Sequence, residues 1–385
     1  MDWSYPPEAE AFRAEVRGWL HAHLDPRFTE LSLLDPTPQQ VGTYREWLAL
    51  LADAGYAALS WPVEYGGRAA SVMEQVVFAE EMSRAAAPGH LNALGMANIA
   101  PAIMQWGTED QKRALLPRML RADDIWCQGF SEPGAGSDLA SLRTAAVRDG
   151  DHFVVTGQKV WTTLGHIATH CELLVRTEPA APKHRGISCL LVDLALTGVE
   201  VRPLTTLTGD REFNEIFFTD VRVPATSLLG PENDGWRVAM TTLNHERGGV
   251  VALHLGVRRR IRELLDLARE TTYGDSRHAS DDPVVRQRLA QVYLEGEYLK
   301  LLSDRVLSNE VKGVGQGPEA SLGKLVWSEL EQHLAEAAAA VLGPAGNSGD
   351  WGRARVYARA LSIAGGTTQI NKQLVATRVL GLPRS

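Results

Sequence analysis

The sequence predicts a mixed α+β fold in which helices dominate. Residues 7–120 carry apolar positions at helical spacing, and that texture returns from about 233. Between them, over 125–230, short β-rich runs alternate with turn signals. At 385 residues the chain is longer than one hydrophobic core serves, so two or three packed domains are expected.

The elements follow in order. A first helix over Glu8 to Leu24 is entered through Pro6-Pro7, with Phe12, Val16, Trp19 and Leu20 on one face. Further helical patterns cover about 38–55, 70–86, 90–105 and 109–120. Trp61-Pro62-Val63-Glu64-Tyr65-Gly66-Gly67 interrupts them as a loop. Then come the β runs: His152 to Thr156, Lys159 to Thr163, Leu173 to Val175, Ile187 to Val192 and Phe213 to Val223. Asp149-Gly150-Asp151 is a turn ahead of the first. They predict a small, mostly antiparallel β-domain. Helical spacing resumes through 236–270, 283–312 and 317–342, where Gly343-Pro344 stops it. A last helix lies near 368–380, and 343–349 reads as a loop.

Composition excludes several classes. Lys plus Arg number 39 against 47 Asp plus Glu, a formal charge of −8, which lacks the basic excess of a nucleic-acid binder. Cys127, Cys171 and Cys189 are scattered, with neither a disulfide framework nor metal-ligand spacing, as in a reducing cytoplasm. Met1-Asp2-Trp3-Ser4 lacks the basic start and apolar core of a secretion signal. The longest charge-free stretch, Gly89 to Thr108, holds His90, Asn92, Asn98, Pro101 and Gln105, too polar for a membrane span. A cytoplasmic protein is expected.

Common site motifs fail. No G-x-G-x-x-G follows a strand, and neither G-x-S-x-G nor H-E-x-x-H occurs. Gly323-Lys324 imitates a P-loop end, but Pro318 and Leu325 stand at the other required positions. His166, His170 and Cys171 lie close together without a completing carboxylate, so ordinary polar contacts are expected and no metal.

The informative segment is Cys127-Gln128-Gly129-Phe130-Ser131-Glu132-Pro133-Gly134-Ala135-Gly136-Ser137-Asp138, a strand entering a glycine-rich turn. Glycines admit close approach of a ligand, the turn exposes N–H groups, and Ser131 and Ser137 add hydroxyls. Gly157-Gln158-Lys159-Val160-Trp161-Thr162-Thr163 follows about twenty residues later. Together these resemble the two flavin-contacting signatures of the acyl-CoA dehydrogenase family. The resemblance spans nearly the whole chain: Trp61 to Gly67, Gly107 to Lys112 with Leu116-Pro117, Phe213 to Pro224, Gly235-Trp236, Glu246-Arg247 and Gly366-Thr367-Thr368-Gln369 occur in the family's order.

The resemblance implies an N-terminal helical domain over 1–122, a middle antiparallel β-domain over 123–232 and a C-terminal four-helix bundle over 233–385. It implies FAD between the β-domain and the C-terminal helices, partly contacted by a neighbouring subunit. The implied reaction removes an α-proton and a β-hydride from an acyl-CoA thioester, giving the trans-2-enoyl thioester. Electrons then pass to electron-transferring flavoprotein or a similar acceptor. Carried over by position, Gln128, Phe130 and Ser131 are flavin neighbours, and Gly136 lies in the flavin loop. Trp161 matches the indole covering one ring face, and Thr163 the hydroxyl near flavin N5. Ser137 and Arg247 fall on the substrate side, and Thr367 and Gln369 on the FAD diphosphate and adenosine side. A core aromatic at Trp161 and a cross-strand pair at Thr163 are the plain alternatives.

Two departures matter. The family's commonest base is a Glu just before the Gly-Thr of the C-terminal motif, and this chain has Gly365 there. Some members instead carry the base on a helix of the C-terminal bundle, before an arginine, which here is Glu246-Arg247. Glu246 is therefore the expected base, with the backbone N–H of Gly365 retained for the thioester carbonyl. The partner-subunit flavin contacts also differ: Asp281-Asp282-Pro283 and Leu342-Gly343-Pro344 resemble a bacterial branch, some of whose members are heterotetramers of two paralogues. Arg277 and Gln287 are the matching candidates for cofactor contacts, and both also suit an ordinary surface. A homotetramer, or a heterotetramer with a paralogous subunit, is expected. The competing readings are a non-catalytic or half-site subunit and a flavin oxidase or monooxygenase of the same fold.

Overall fold

The structure is a computed structural model that describes residues 5–31, 35–246, 250–274, 276–314, 317 and 319–383. The chain divides into two units, Met1–Gln75 with Arg84–Glu246, and Val76–Ser83 with Arg247–Ser385.

The first unit opens with helices α1 (Pro7–His23), α2 (Pro26–Thr29) and α3 (Pro38–Asp53). Phe12, Val16 and Leu20 of α1 and Tyr44 and Trp47 of α3 are buried, and Trp19 packs on Trp47 with ring centroids 5.6 Å apart. Helix α4 (Val72–Arg84) follows; its middle belongs to the second unit. A π-helical turn, Gly95–Ile99, runs into α5 (Ala100–Trp106), and α6 (Glu109–Leu120) comes next. Helix α6 starts at a reciprocal cap. Thr108 Oγ1 accepts the Gln111 N–H at 3.2 Å and Gln111 Oε1 accepts the Thr108 N–H at 2.9 Å. The same Gln111 donates through Nε2 to the carbonyls of Thr226 and Leu228, so the Thr-Glu-Asp-Gln motif fastens the helix to the last segment of the sheet.

The sheet is built from β1 (Trp126–Gly129), β2 (Ala145–Asp149), β3 (His152–Thr163), β4 (His170–Arg176), β5 (Ile187–Asp193), β6 (Val199–Leu204), β7 (Phe213–Pro224) and β8 (Leu228–Leu229). Its order is β6-β7-β3-β2-β4-β5-β8, with β1 beside β4. The pairings are antiparallel except β1–β4 and β2–β4, which are parallel. Strand alternation assigns the faces. Cys171, Leu173 and Val175 join Phe153, Val155, Ile216 and Phe218 in one apolar cluster. Leu174, Cys189 and Leu191 face a second cluster with Ile99, Ile103, Leu116, Met119 and Trp126. Helix α7 (Gly235–Glu246) lays Val238 and Ala239 into this second cluster.

The second unit contains α8 (Val250–Glu270), α9 (Pro283–Val311), α10 (Glu319–Leu342), α11 (Gly349–Leu361) and α12 (Thr368–Leu374), the last continuing into a π-helical turn, Val375–Val379. Val257, Ile261 and Leu264 of α8 pack with Leu289, Val292 and Leu299 of α9 and with Leu330, Leu334 and Val341 of α10. Sequence spacing predicts a helical run over 236–270; the structure is helical over Gly235–Glu246 and Val250–Glu270, and residues 247–249 lie outside the described residues. Helix α11 has no counterpart in the sequence expectation.

Candidate active site

The glycine-rich turn after β1 is fixed from below by one carboxylate. Glu132 accepts the backbone N–H groups of Arg143 (2.7 Å) and Thr144 (2.9 Å) and the Lys159 ammonium at 2.8 Å. Lys159 is fully buried in β3 and also donates to the Phe130 carbonyl at 3.0 Å. Burial pulls the Lys159 ammonium below its usual range, against the attraction of Glu132. Burial acts to raise the Glu132 carboxyl, but Lys159 and the Thr144 donors outweigh it and hold the group below its ordinary value. The loop above is open. A Cβ added at Gly134 or Gly136 would meet nothing within 4 Å, so packing inside the chain does not require glycine there. That leaves backbone bare toward an incoming group.

Trp161 stands beside this loop. The Ser131 carbonyl accepts the Val160 N–H at 2.9 Å, which sets the end of β1 against the middle of β3. There β3 slips register with β7 between Lys159 and Thr162, a bulge that turns the strand's alternation. Trp161 sits in the bulge at φ 62°, a left-handed conformation that a bulky side chain rarely adopts. The indole is 61% exposed and touches Phe213 edge-on, with centroids 5.9 Å apart. It is therefore not a core aromatic. Thr163 is half-buried, opposite Phe213 across the β3–β7 pair. Ser131 is also half-buried, Phe130 is buried, and Gly136 and Ser137 are exposed. The amide nitrogen of Gln128 is buried without a hydrogen-bond partner among the described residues. An exposed aromatic plane flanked by hydroxyls and an open glycine turn fits a flat heteroaromatic ring with polar edges.

Glu246 is the last residue of α7, and Arg247 lies outside the described residues. Gly365, Thr367, Gln369, Arg277 and Gln287 belong to the second unit. Gly365 and Gly366 are exposed, with φ of 64° and 90°, and this pair of left-handed residues carries the backbone from α11 into α12. Thr367 caps α12 by accepting the Ile370 N–H at 3.2 Å, and Asn371 donates to the Gly366 carbonyl at 2.8 Å. Gln287 is exposed on α9; Arg277 is exposed, and its carbonyl accepts the Tyr273 N–H at 2.9 Å.

The sequence reading missed the supports. Lys159 stands where an apolar strand residue is expected, and Glu172 stands between Cys171 and the run Leu173-Leu174-Val175; a charge inside a buried strand was the available signal. Asn92 is another: it donates to the carbonyls of Met119 and Asp124 and accepts the Trp126 N–H at 2.8 Å, tying the end of α6 to the start of β1. His170 stacks on Trp126 at 4.9 Å, and Cys171 faces the core. Among the described residues no group of three or more metal-capable side chains converges, and no helix is long and apolar enough to cross a membrane.

Comparisons with known proteins agree along the chain. Family models match in three consecutive pieces: acyl-CoA dehydrogenase N-terminal domain over residues 6–123, middle domain over 127–221 and C-terminal domain over 233–380. Acyl-CoA dehydrogenase IpdE1 of Mycobacterium tuberculosis is 41% identical, with 98% of each chain covered. The ChsE4-ChsE5 complex of M. tuberculosis contains a chain of TM-score 0.86 and 36% identity, each chain fully covered. A steroid ACAD, Tcur3481-Tcur3483, superposes with TM-score 0.86 at 32% identity, again with both chains fully covered. The chain belongs to the acyl-CoA dehydrogenase family, FAD-binding oxidoreductases with a helical N-terminal part, a middle sheet and a C-terminal helical part.

Proposed function

We propose that this chain catalyses α,β-dehydrogenation of an acyl-CoA thioester, with Glu246 as the base that removes the α-proton. The observation that carries the reading is the grouping of Ser131, Trp161 and Thr163 beside an open glycine turn. FAD, when bound, accepts the hydride from the β-carbon. Trp161 supplies the aromatic wall for the flavin, and Thr163, Ser131 and Gln128 supply fixed polar groups at its edge, with Phe130 and Gly136 in the same wall and loop. Arg277, Gln287, Thr367 and Gln369 serve the diphosphate and adenosine end. Ser137 touches the CoA arm, and Arg247 lies on the substrate side. The Gly365 N–H donates to the thioester carbonyl and steadies the charge that develops there as the α-proton leaves. Because Gly365 has no side chain to abstract that proton, the carboxylate comes from Glu246.

The domains of this reading run over 1–122, 123–232 and 233–385, in a cytoplasmic enzyme that delivers electrons to electron-transferring flavoprotein or a similar acceptor. Bulky acyl groups are the proposed substrate class, since one neighbour is a steroid ACAD. A homotetramer or a heterotetramer with a paralogue is the proposed assembly, since another neighbour is a two-protein complex. The test is Glu246→Gln: FAD stays bound and acyl-CoA no longer bleaches the flavin. Full bleaching in that variant overturns the base assignment. Gly365 favours a second reading, a half-site subunit completed by a paralogue. Purification of the single chain without yellow flavin, and recovery of colour on adding the paralogue, would select it.

A further inference from the structure

Glu172 is a carboxyl group buried in the wrong place for a packing residue. It lies on β4 with no exposed surface, on the face that meets Leu174, Cys189, Trp126 and the apolar residues of α7. Its Oε1 accepts the Thr242 hydroxyl at 2.7 Å, with the Cys189 thiol 3.9 Å away. Its Oε2 is buried with no partner among the described residues. A leucine would fill the site without stranding a polar atom, so the carboxyl is kept at an energetic cost. Burial pushes its pKa up to about 8, which leaves it mostly a neutral acid at pH 7.

What the group does is grip a helix. Thr242 has no exposed surface, and it stands four positions before Glu246 on α7. The neighbouring Thr241 hydroxyl accepts the Trp106 indole N–H at 2.9 Å. Val238 and Ala239 hold α7 to the sheet through apolar contact, which is non-directional and leaves a helix free to slide or roll. The Glu172–Thr242 bond is directional and fixes both motions about one turn before Glu246.

We infer that Glu172 is a positioning residue: by holding Thr242 it sets the placement of the α7 end that bears Glu246. This rests on Glu246 being the base. Misplacement of a reacting group by about 1 Å costs on the order of 100-fold in rate.

The experiment uses FAD-loaded enzyme, its bleaching followed in single turnovers with an acyl-CoA that bleaches the wild type. Glu172→Leu and Thr242→Val are expected to slow bleaching by roughly 10- to 100-fold. FAD content and far-UV circular dichroism stay unchanged, substrate affinity shifts less than about twofold, and the isotope effect at the α-carbon rises. The double variant is no slower than the worse single variant, because both remove the same bond. Glu172→Gln and Thr242→Ser, which keep an acceptor and a donor, recover most of the rate. Wild-type bleaching in Thr242→Val, losses that multiply in the double variant, or a loss confined to FAD content or substrate affinity would overturn the role. Glu246→Gln run alongside separates the two ideas. Full bleaching there removes the base reading, whereas loss of bleaching there with wild-type rates in Thr242→Val removes only the positioning role.

Discussion

The Val160 N–H donates to the Ser131 carbonyl at 2.9 Å, and this bond joins the backbone of the glycine-rich turn to the bulged segment of β3. Two stretches about thirty residues apart in sequence thereby form one surface. Each is anchored underneath by the same pair, Glu132 and Lys159.

Trp161 is expected to matter for the cofactor and little for the fold. Its indole is 61% exposed and its backbone is left-handed. Trp161→Ala should change unfolding free energy by less than about 1 kcal/mol, whereas truncation of a buried aromatic such as Trp126 costs about 3–5 kcal/mol. FAD affinity should fall at least about tenfold in Trp161→Ala, measured by flavin fluorescence on dilution.

Lys159→Met should destabilise the protein by about 3–5 kcal/mol in urea unfolding, since it strands the Glu132 carboxylate beneath the loop. The compensated double variant Lys159→Met with Glu132→Gln should recover part of that loss. A strictly additive double variant would show that the two residues do not act as a pair.

Glu172 gives stability a pH dependence of unusual sign. Its pKa rises from 4.5 to about 8 on folding, so between those values the native state holds a proton that the unfolded chain has released. The contribution of this group therefore falls as pH rises through that window, by up to about 1.4 kcal/mol per pH unit. Glu172→Gln removes the dependence, and its melting temperature should gain on the wild type as pH is raised from 5 toward 8.

His90 acts in the opposite direction. It accepts the Asn92 N–H at Nδ1 (3.0 Å) and lies against the Leu120 carbonyl through Nε2 (3.3 Å), the contacts of a neutral ring. Burial lowers its pKa from 6.5 to about 4, against that carbonyl, so the unfolded state takes up a proton first as pH falls. Stability should decline as pH drops from 6.5 toward 4, and His90→Gln should flatten that part of the melting-temperature profile.

The alternation of textures was readable because each texture reflects one simple physical pattern. The periodic stripes of α1 and α3 and the β runs of the middle region bury apolar faces, and burial leaves a period in the sequence. Helix α11 leaves none: Gly352 and Ala358 are its buried residues, and it is held by Arg355 and Arg359 against Glu336 at 2.9 and 2.8 Å. Ion pairs impose no apolar spacing. In the site, the glycine-rich turn and the Trp161 segment were visible as motifs. Lys159, Glu172 and Thr242 were not, because their partners come from 27, 70 and 70 positions away and only folding brings them together.

Among the described tryptophans, Trp161 alone is exposed, while Trp47, Trp61 and Trp126 are sealed inside. The protein thus carries an optical gauge of its own loading. Iodide quenches indole emission where it can collide with the ring, so Trp161 is the most readily quenched of the described tryptophans, with Trp19, Trp106, Trp236, Trp327 and Trp351 half-buried. When a ligand covers that ring, the accessible fraction falls, and occupancy can be titrated without a label or a turnover.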